Sequence, residues 1–182
     1  MKFLSLLLLL LSVSASAREV SGVEVPETLS VTQQPLQLNG AGVRSKFFMD
    51  LYVGGLYLPI KASTTAEVLN EETAVVSLKI LSSLITSEKM RNAIEEGFDD
   101  ATDGQTQPIA ADIKHFTELF EDEIKVGDEF LLVADKKHGV TAYKNGVAKD
   151  TITGEAFREA LLKIWLGDEP AQKSLKREML GQ

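Results

Sequence analysis

From Arg18 to Leu58 the alternation of apolar and polar positions is strand-like, in the segments "VSGVEVP", "LSVTQQPLQLN" and "KFFMDLYVGGLYLP", which Gly and Pro interrupt. In "KFFMDLYV" the apolar residues run almost without a break, which predicts a strand covered on both faces. Ser63 predicts the cap of a short helix through Leu69. "TAVVSLKIL" follows as a further strand, rich in β-branched residues and alternating around Ser77 and Lys79.

The period then changes. Ser87, followed by Glu88, predicts a helix N-terminus, and Met90, Ala93, Ile94, Gly97 and Phe98 fall on one face of the helix it opens. A polar linker, "DDATDGQTQ", leads to Pro108 and a second helix that buries Ile109, Ile113, Phe116, Leu119, Phe120 and Ile124. "KVGDEFLLVAD" reads as a strand, and "GVTAYKNGVAKDTI" as a hairpin closed by Asn145–Gly146, a pair suited to the positive φ angles of a type I′ turn. "EAFREALLKIWLG" places Phe157, Ala160, Leu161, Ile164 and Trp165 at helical spacing up to Gly167, and "EPAQKSLKREMLG" ends in an amphipathic helix capped by Gly181. Strands grouped early and helices in the middle and at the end predict an α+β domain, an antiparallel sheet with helices on one side.

Composition narrows the function classes. Met1–Lys2, an apolar run from Phe3 to Leu11 and a small-residue end at Ala15–Ser16–Ala17 describe a secretory signal peptide over residues 1–17. Residues 18–182 then form one domain, periplasmic or secreted, with no stable membrane insertion after cleavage. The formal charge is −8, and removing a leader with one lysine and no acid makes the mature chain more acidic still, a poor partner for nucleic acid. Cysteine is absent, which excludes disulfides, thiolate nucleophiles and Cys-ligated metals. There is no phosphate-binding loop, dinucleotide fingerprint, nucleophile elbow or zinc-protease motif. The acids of "NAIEEGFDD" and "ELFEDEI" lack calcium-loop spacing and read as solvated faces. His115 reads as a helix-surface residue and His138 as a turn residue, so no metal or cofactor is expected.

Arg44 is the residue that composition does not explain. It sits in "LNGAGVRSKFF", a permanent cation among glycines and apolar side chains. One reading makes it the convergent polar group of an apolar pocket, with Gly40 and Gly42 allowing a tight turn and the close approach of another group. The other sends it to solvent at a strand end or pairs it with Asp50.

The segments "LNGAGVRSKFFMDLYVGGLYLP" and "IWLGDEPAQKSLKREMLG" resemble the chalcone isomerase superfamily, most closely its exported bacterial chalcone isomerase-like branch. The resemblance implies an open-faced β-sandwich, an antiparallel sheet covered by a helical layer, with a ligand cleft between. It places the family's catalytic arginine on Arg44, and its other active-site positions on Tyr52, near Thr86, near Ala93 and on Ile164. Only the arginine is retained. Losing one transition-state donor costs about 2.7–4 kcal/mol, which argues against efficient flavonoid cyclisation. The resemblance also covers non-catalytic fatty-acid binders, and by that analogy Arg44 and Tyr52 hold a carboxylate while Thr86 and Ile164 lie along the ligand. The alternative is an intramolecular lyase or isomerase acting on an unsaturated carbonyl compound, with Arg44 as electrostatic catalyst. A haem-binding reading, suggested by some relatives, would use His115 as axial ligand.

Overall fold

Seven strands run as an antiparallel meander, each hydrogen-bonded to the next in chain order. They are β3 (Thr28–Leu29), β4 (Leu36–Lys46), β5 (Met49–Leu58), β6 (Thr73–Ile80), β7 (Glu129–Asp135), β8 (Gly139–Lys144) and β9 (Val147–Ile152). A separate hairpin, β1 (Ala17–Val20) with β2 (Val23–Pro26), precedes them. The computed structural model describes residues 17–31 and 34–182, so the leader expected at residues 1–17 lies outside it except for Ala17. Among the described residues no helix is long and apolar enough to cross a membrane.

Strand alternation divides the core in two. Leu56, Leu58, Ala74, Val76, Leu78, Ile80, Phe130 and Leu132 face the helices and belong to the larger cluster. Val53, Tyr57, Val75, Leu131 and Val133 point the other way and meet Val25 of the N-terminal hairpin. The helices are α1 (Thr65–Asn70), α2 (Ser87–Ala101), α3 (Ala110–Glu118), α4 (Glu155–Leu166) and α5 (Lys173–Met179). α4 is buried through Phe157, Leu161, Ile164 and Trp165, as its spacing predicts. Phe98 of α2, Phe116 of α3 and Phe157 of α4 meet with ring centroids 5.1–6.1 Å apart, which knits the helical layer together.

Several boundaries differ from the sequence expectation. The cap of α1 is Thr64, which forms a full capping box with Glu67, and the cap of α2 is Thr86 rather than Ser87. The second core helix is shorter than its apolar pattern: a 3-10 turn at Gln107–Ile109 leads into α3, and Phe120 and Ile124 are buried beyond its end. Gly181 does end α5 in the left-handed conformation, φ 71°, with Gly181 N–H bonded to Glu178 O and Gln182 N–H to Arg177 O.

The largest difference concerns "KFFMDLYV", which is not one strand. Phe47 and Phe48 form the two-residue turn between β4 and β5, at φ 51° and 64°. The β1–β2 turn, Ser21–Gly22, and the β8–β9 turn, Asn145–Gly146, have the same pair of positive φ angles and place glycine second. Two phenylalanines carry no turn signal, and each non-glycine residue held in this region costs roughly 1–2 kcal/mol.

β4 carries Gly40, Gly42 and Arg44 on the side facing the helices, and α5 lies directly over the two glycines. A Cβ on Gly40 would come within 2.0 Å of the Glu178 carbonyl oxygen, and one on Gly42 would collide with the Glu178 carboxylate. The close approach expected at these glycines is therefore made by a helix. Asn39 closes the junction: its amide donates to Met179 O at 2.7 Å and Ala62 O at 2.9 Å, and its oxygen accepts from Ala62 N–H at 2.8 Å. Gly54, by contrast, would place a Cβ against the flexible methyls of Leu175 at 3.4 and 3.5 Å. Urea denaturation is therefore expected to show Gly40→Ala losing about 3 kcal/mol, because backbone must move, and Gly54→Ala losing less than about 1 kcal/mol.

Candidate functional site

Arg44 of β4 stands directly opposite Tyr52 of β5, and Tyr52 opposite Ile80 of β6, so the three side chains share the face under the helices. A register shift follows Arg44, after which Ser45 pairs with Asp50, leaving Leu51 as the extra residue of β5. Leu51 O then accepts from Leu81 and Ser82 N–H.

Gln172, the residue that precedes α5, fixes the arginine. Its Oε1 accepts from Arg44 Nη1 at 3.0 Å and from Ser45 N–H at 3.0 Å, while its amide donates to Val43 O at 3.2 Å and Ser174 Oγ at 2.6 Å. Arg44 Nη1 also donates to Ser45 O at 3.2 Å. These partners are neutral. Asp50, the acid considered as a partner from sequence, accepts instead from Ser21 and Ser45 hydroxyls at 2.7 and 2.8 Å, which lower its pKa. Among the described residues no carboxylate comes within ion-pair distance of Arg44, although the guanidinium is half-buried.

The phenol beside it is also oriented. Trp165 Nε1 of α4 donates to Tyr52 Oη at 3.0 Å, which leaves the phenolic proton free for another acceptor. Burial raises the Tyr52 pKa, against the opposing influence of the Trp165 hydrogen bond and the Arg44 charge, so the proton stays in place at neutral pH.

Both groups open onto a cavity of about 620 Å³ between the sheet and the helical layer. Leu78 and Leu132 of the sheet, Met90, Ala93, Ile94 and Gly97 of α2, Phe116 and Phe120 by α3, and Ile164 of α4 line it. Phe116, Phe120 and Leu132 are almost fully buried, whereas Lys46, Phe47, Met49 and Leu84 are exposed and form its mouth. The walls are largely apolar, with Arg44 and Tyr52 among the few polar side chains that reach them.

Of the four residues assigned from sequence, Arg44, Tyr52 and Ile164 line this cavity. Thr86 does not. It is exposed, and its hydroxyl accepts from Lys89 N–H at 3.2 Å as the cap of α2. His115 lies on the outside of α3, 3.0 Å from Asp150, and is not among the lining residues. Sequence reading missed Gln172 and the hydrogen-bonding role of Trp165. The α4 periodicity already put Trp165 beside Ile164 on the core face, but nothing in "EPAQ" marks Gln172 as an arginine partner.

A curled antiparallel sheet under one layer of helices, with a cavity between them, is an open-faced β-sandwich of the chalcone isomerase type. The chain belongs to the chalcone isomerase-like family, whose model matches residues 17–181. Among solved structures it is similar to a fatty-acid binding protein of Arabidopsis thaliana, with a TM-score of 0.64 and 17% identity, covering 87% of this chain and 92% of that one. A comparison with curated protein sequences returned no match.

A second tyrosine sets an alkaline limit on the fold. Tyr57, on the opposite face of β5, donates to Pro26 O at 3.0 Å, and burial with the charges of Glu129 and Glu27 pushes its pKa from 10.0 to about 12. The folded state retains this proton where the unfolded chain releases it, so stability is fully present below pH 10 and falls as pH rises toward about 12. Thermal unfolding followed across that window is expected to show a decline that Tyr57→Phe makes shallower.

Proposed function

We propose that this protein is a non-catalytic binder of a fatty acid or similar long-chain carboxylate, of the exported bacterial branch, acting in the periplasm or outside the cell after removal of residues 1–17. Arg44 and Tyr52, adjacent across β4 and β5 with no acid within ion-pair distance among the described residues, carry this reading. The guanidinium takes the carboxylate as a charge-assisted pair and the phenol adds its proton as a second donor. The apolar walls take the tail. At about 0.8 kcal/mol per buried methylene, a chain of roughly a dozen carbons supplies on the order of 10 kcal/mol before ordering costs are subtracted. The similar Arabidopsis structure is that of a fatty-acid binding protein, which supports the same ligand class.

The residues at three of the family's mapped active-site positions disfavour the isomerase alternative, although Lys89 and Asn92 also reach the wall. Turnover of an unsaturated ketone requires donors around the developing oxyanion. Ala93 and Ile164 bring no polar side-chain atom to the wall, and Thr86 is spent on capping α2.

Displacement of a fluorescent fatty acid from delipidated protein tests the proposal. Wild type is expected to bind, Arg44→Ala to weaken binding about ten-fold or more, the order of a hydrogen bond to a charged group, and Tyr52→Phe to weaken it less. Tight binding that is indifferent to Arg44→Ala overturns the assignment. Turnover of a chalcone panel, abolished by Arg44→Ala, replaces it with the isomerase.

A further inference from the structure

The mouth of the cavity carries a surface that ligand binding does not require. Among the described residues seven large hydrophobic side chains are exposed, and Phe47 (78%), Phe48 (107%), Met49 (45%) and Leu84 (39%) are four of them. Phe47, Met49 and Leu84 line the mouth, and Phe48 lies between the first two in the chain, with its side chain fully in water and outside the cavity wall. The tip is also conformationally costly. The same two-residue turn is built elsewhere in this chain with Ser–Gly and Asn–Gly, yet here both left-handed positions hold phenylalanine. An outlier of this kind at a cavity entrance is a reason to look for function.

Charge around the tip runs against that of the molecule. The chain has 27 acids and 19 Lys and Arg residues, but the cavity lining and mouth hold Arg44, Lys46 and Lys89 with a single acid, Glu96. Lys46 Nζ lies 5.8 Å from the centre of the Phe47 ring. Asp50 follows Met49 directly and pairs with Ser45 just behind the turn, where the Ser21 and Ser45 hydroxyls engage it, and it is not part of the lining.

We propose that the β4–β5 tip is a peripheral membrane-docking element that seats Phe47, Phe48 and Met49 in the interface of an anionic phospholipid bilayer, with Lys46 and Lys89 at the headgroups. Aromatic side chains suit the boundary between headgroup and acyl chain, and lysines beside it are drawn to anionic lipid. The placement gives the tip its purpose: resting on the proposed ligand class, docking opens the cavity toward the phase in which a long-chain carboxylate is dissolved. No spanning element is needed, because the contact is made by one exposed turn.

Flotation of delipidated protein with phosphatidylcholine vesicles, with and without phosphatidylglycerol, tests this independently of the fatty-acid titration. Wild type is expected to float with phosphatidylglycerol-containing vesicles, more weakly with phosphatidylcholine alone, and less as salt is raised. Phe48→Gly is expected to weaken vesicle binding about ten-fold, the order for one aromatic side chain left in water, while fatty-acid affinity in solution is unchanged. Lys46→Glu with Lys89→Glu is expected to remove the preference for anionic vesicles. Phe47→Asn with Phe48→Gly installs the residues of the β8–β9 turn, so it is expected to melt no lower than wild type and to lose flotation. Failure of wild type to float, or flotation of that double variant at wild-type level, overturns the proposal. A concentration-dependent dimer that the double variant dissolves, without vesicle binding by wild type, overturns it in favour of a second copy of the chain.

Discussion

The approach of α5 to β4 is the constraint on which the rest of the site depends. A helix can lie against a strand this closely only where the strand has no side chains, and Gly40 and Gly42 provide that bare stripe. Once α5 is seated, the residue before it, Gln172, falls over Arg44 and locks one guanidinium nitrogen together with the Ser45 amide. Asn39 satisfies Met179 O near the far end of the same helix and anchors the Ala62 loop. The glycines thus work at a distance from the cavity: they fix the helix that aims the cation.

Two arginines show the difference between a cation answered within the chain and one held by neutral groups alone. Arg158 of α4 is fully buried, and Glu155 receives hydrogen bonds from its Nε and Nη2 at 2.8 and 2.9 Å while Leu69 O accepts another at 2.7 Å. Its charge is answered within the chain, as a buried charge must be. Arg44 is held by neutral acceptors and opens onto an apolar hollow. Neutral partners orient a guanidinium without discharging it, so the attraction for an external anion survives folding. The half-buried setting also strengthens that attraction relative to bulk water.

Tyr52 completes the pair by a second route. Its position opposite Arg44 comes from the sheet register, its orientation from Trp165 on a helix more than a hundred residues later in the chain. Sheet and helical layer each supply one half of this polar corner of the cavity. Apolar positions from both layers line the rest of it, so the cavity lies where the two layers would otherwise touch.

Much of this was written locally. Period-two and period-3.6 patterns placed β6 and the buried faces of α2 and α4, because burial of one face leaves its mark on every second, or every third and fourth, residue. Asn145–Gly146 announced its hairpin, since the conformation it adopts is a property of those two residues. Phe47–Phe48 gave no such notice: its turn is imposed by the pairing of β4 with β5 against the preference of both side chains. Arg44 could be singled out by its surroundings in the chain, but whether it met Asp50, solvent or a cavity could not, because that depends on groups 128 and 113 positions apart being brought together. The sequence by itself determined most of the elements, the fold class and a conspicuous cation. Only the tertiary structure decided which way that cation faces and what stands beside it, because hydrogen bonds between distant segments leave no periodic trace in the chain.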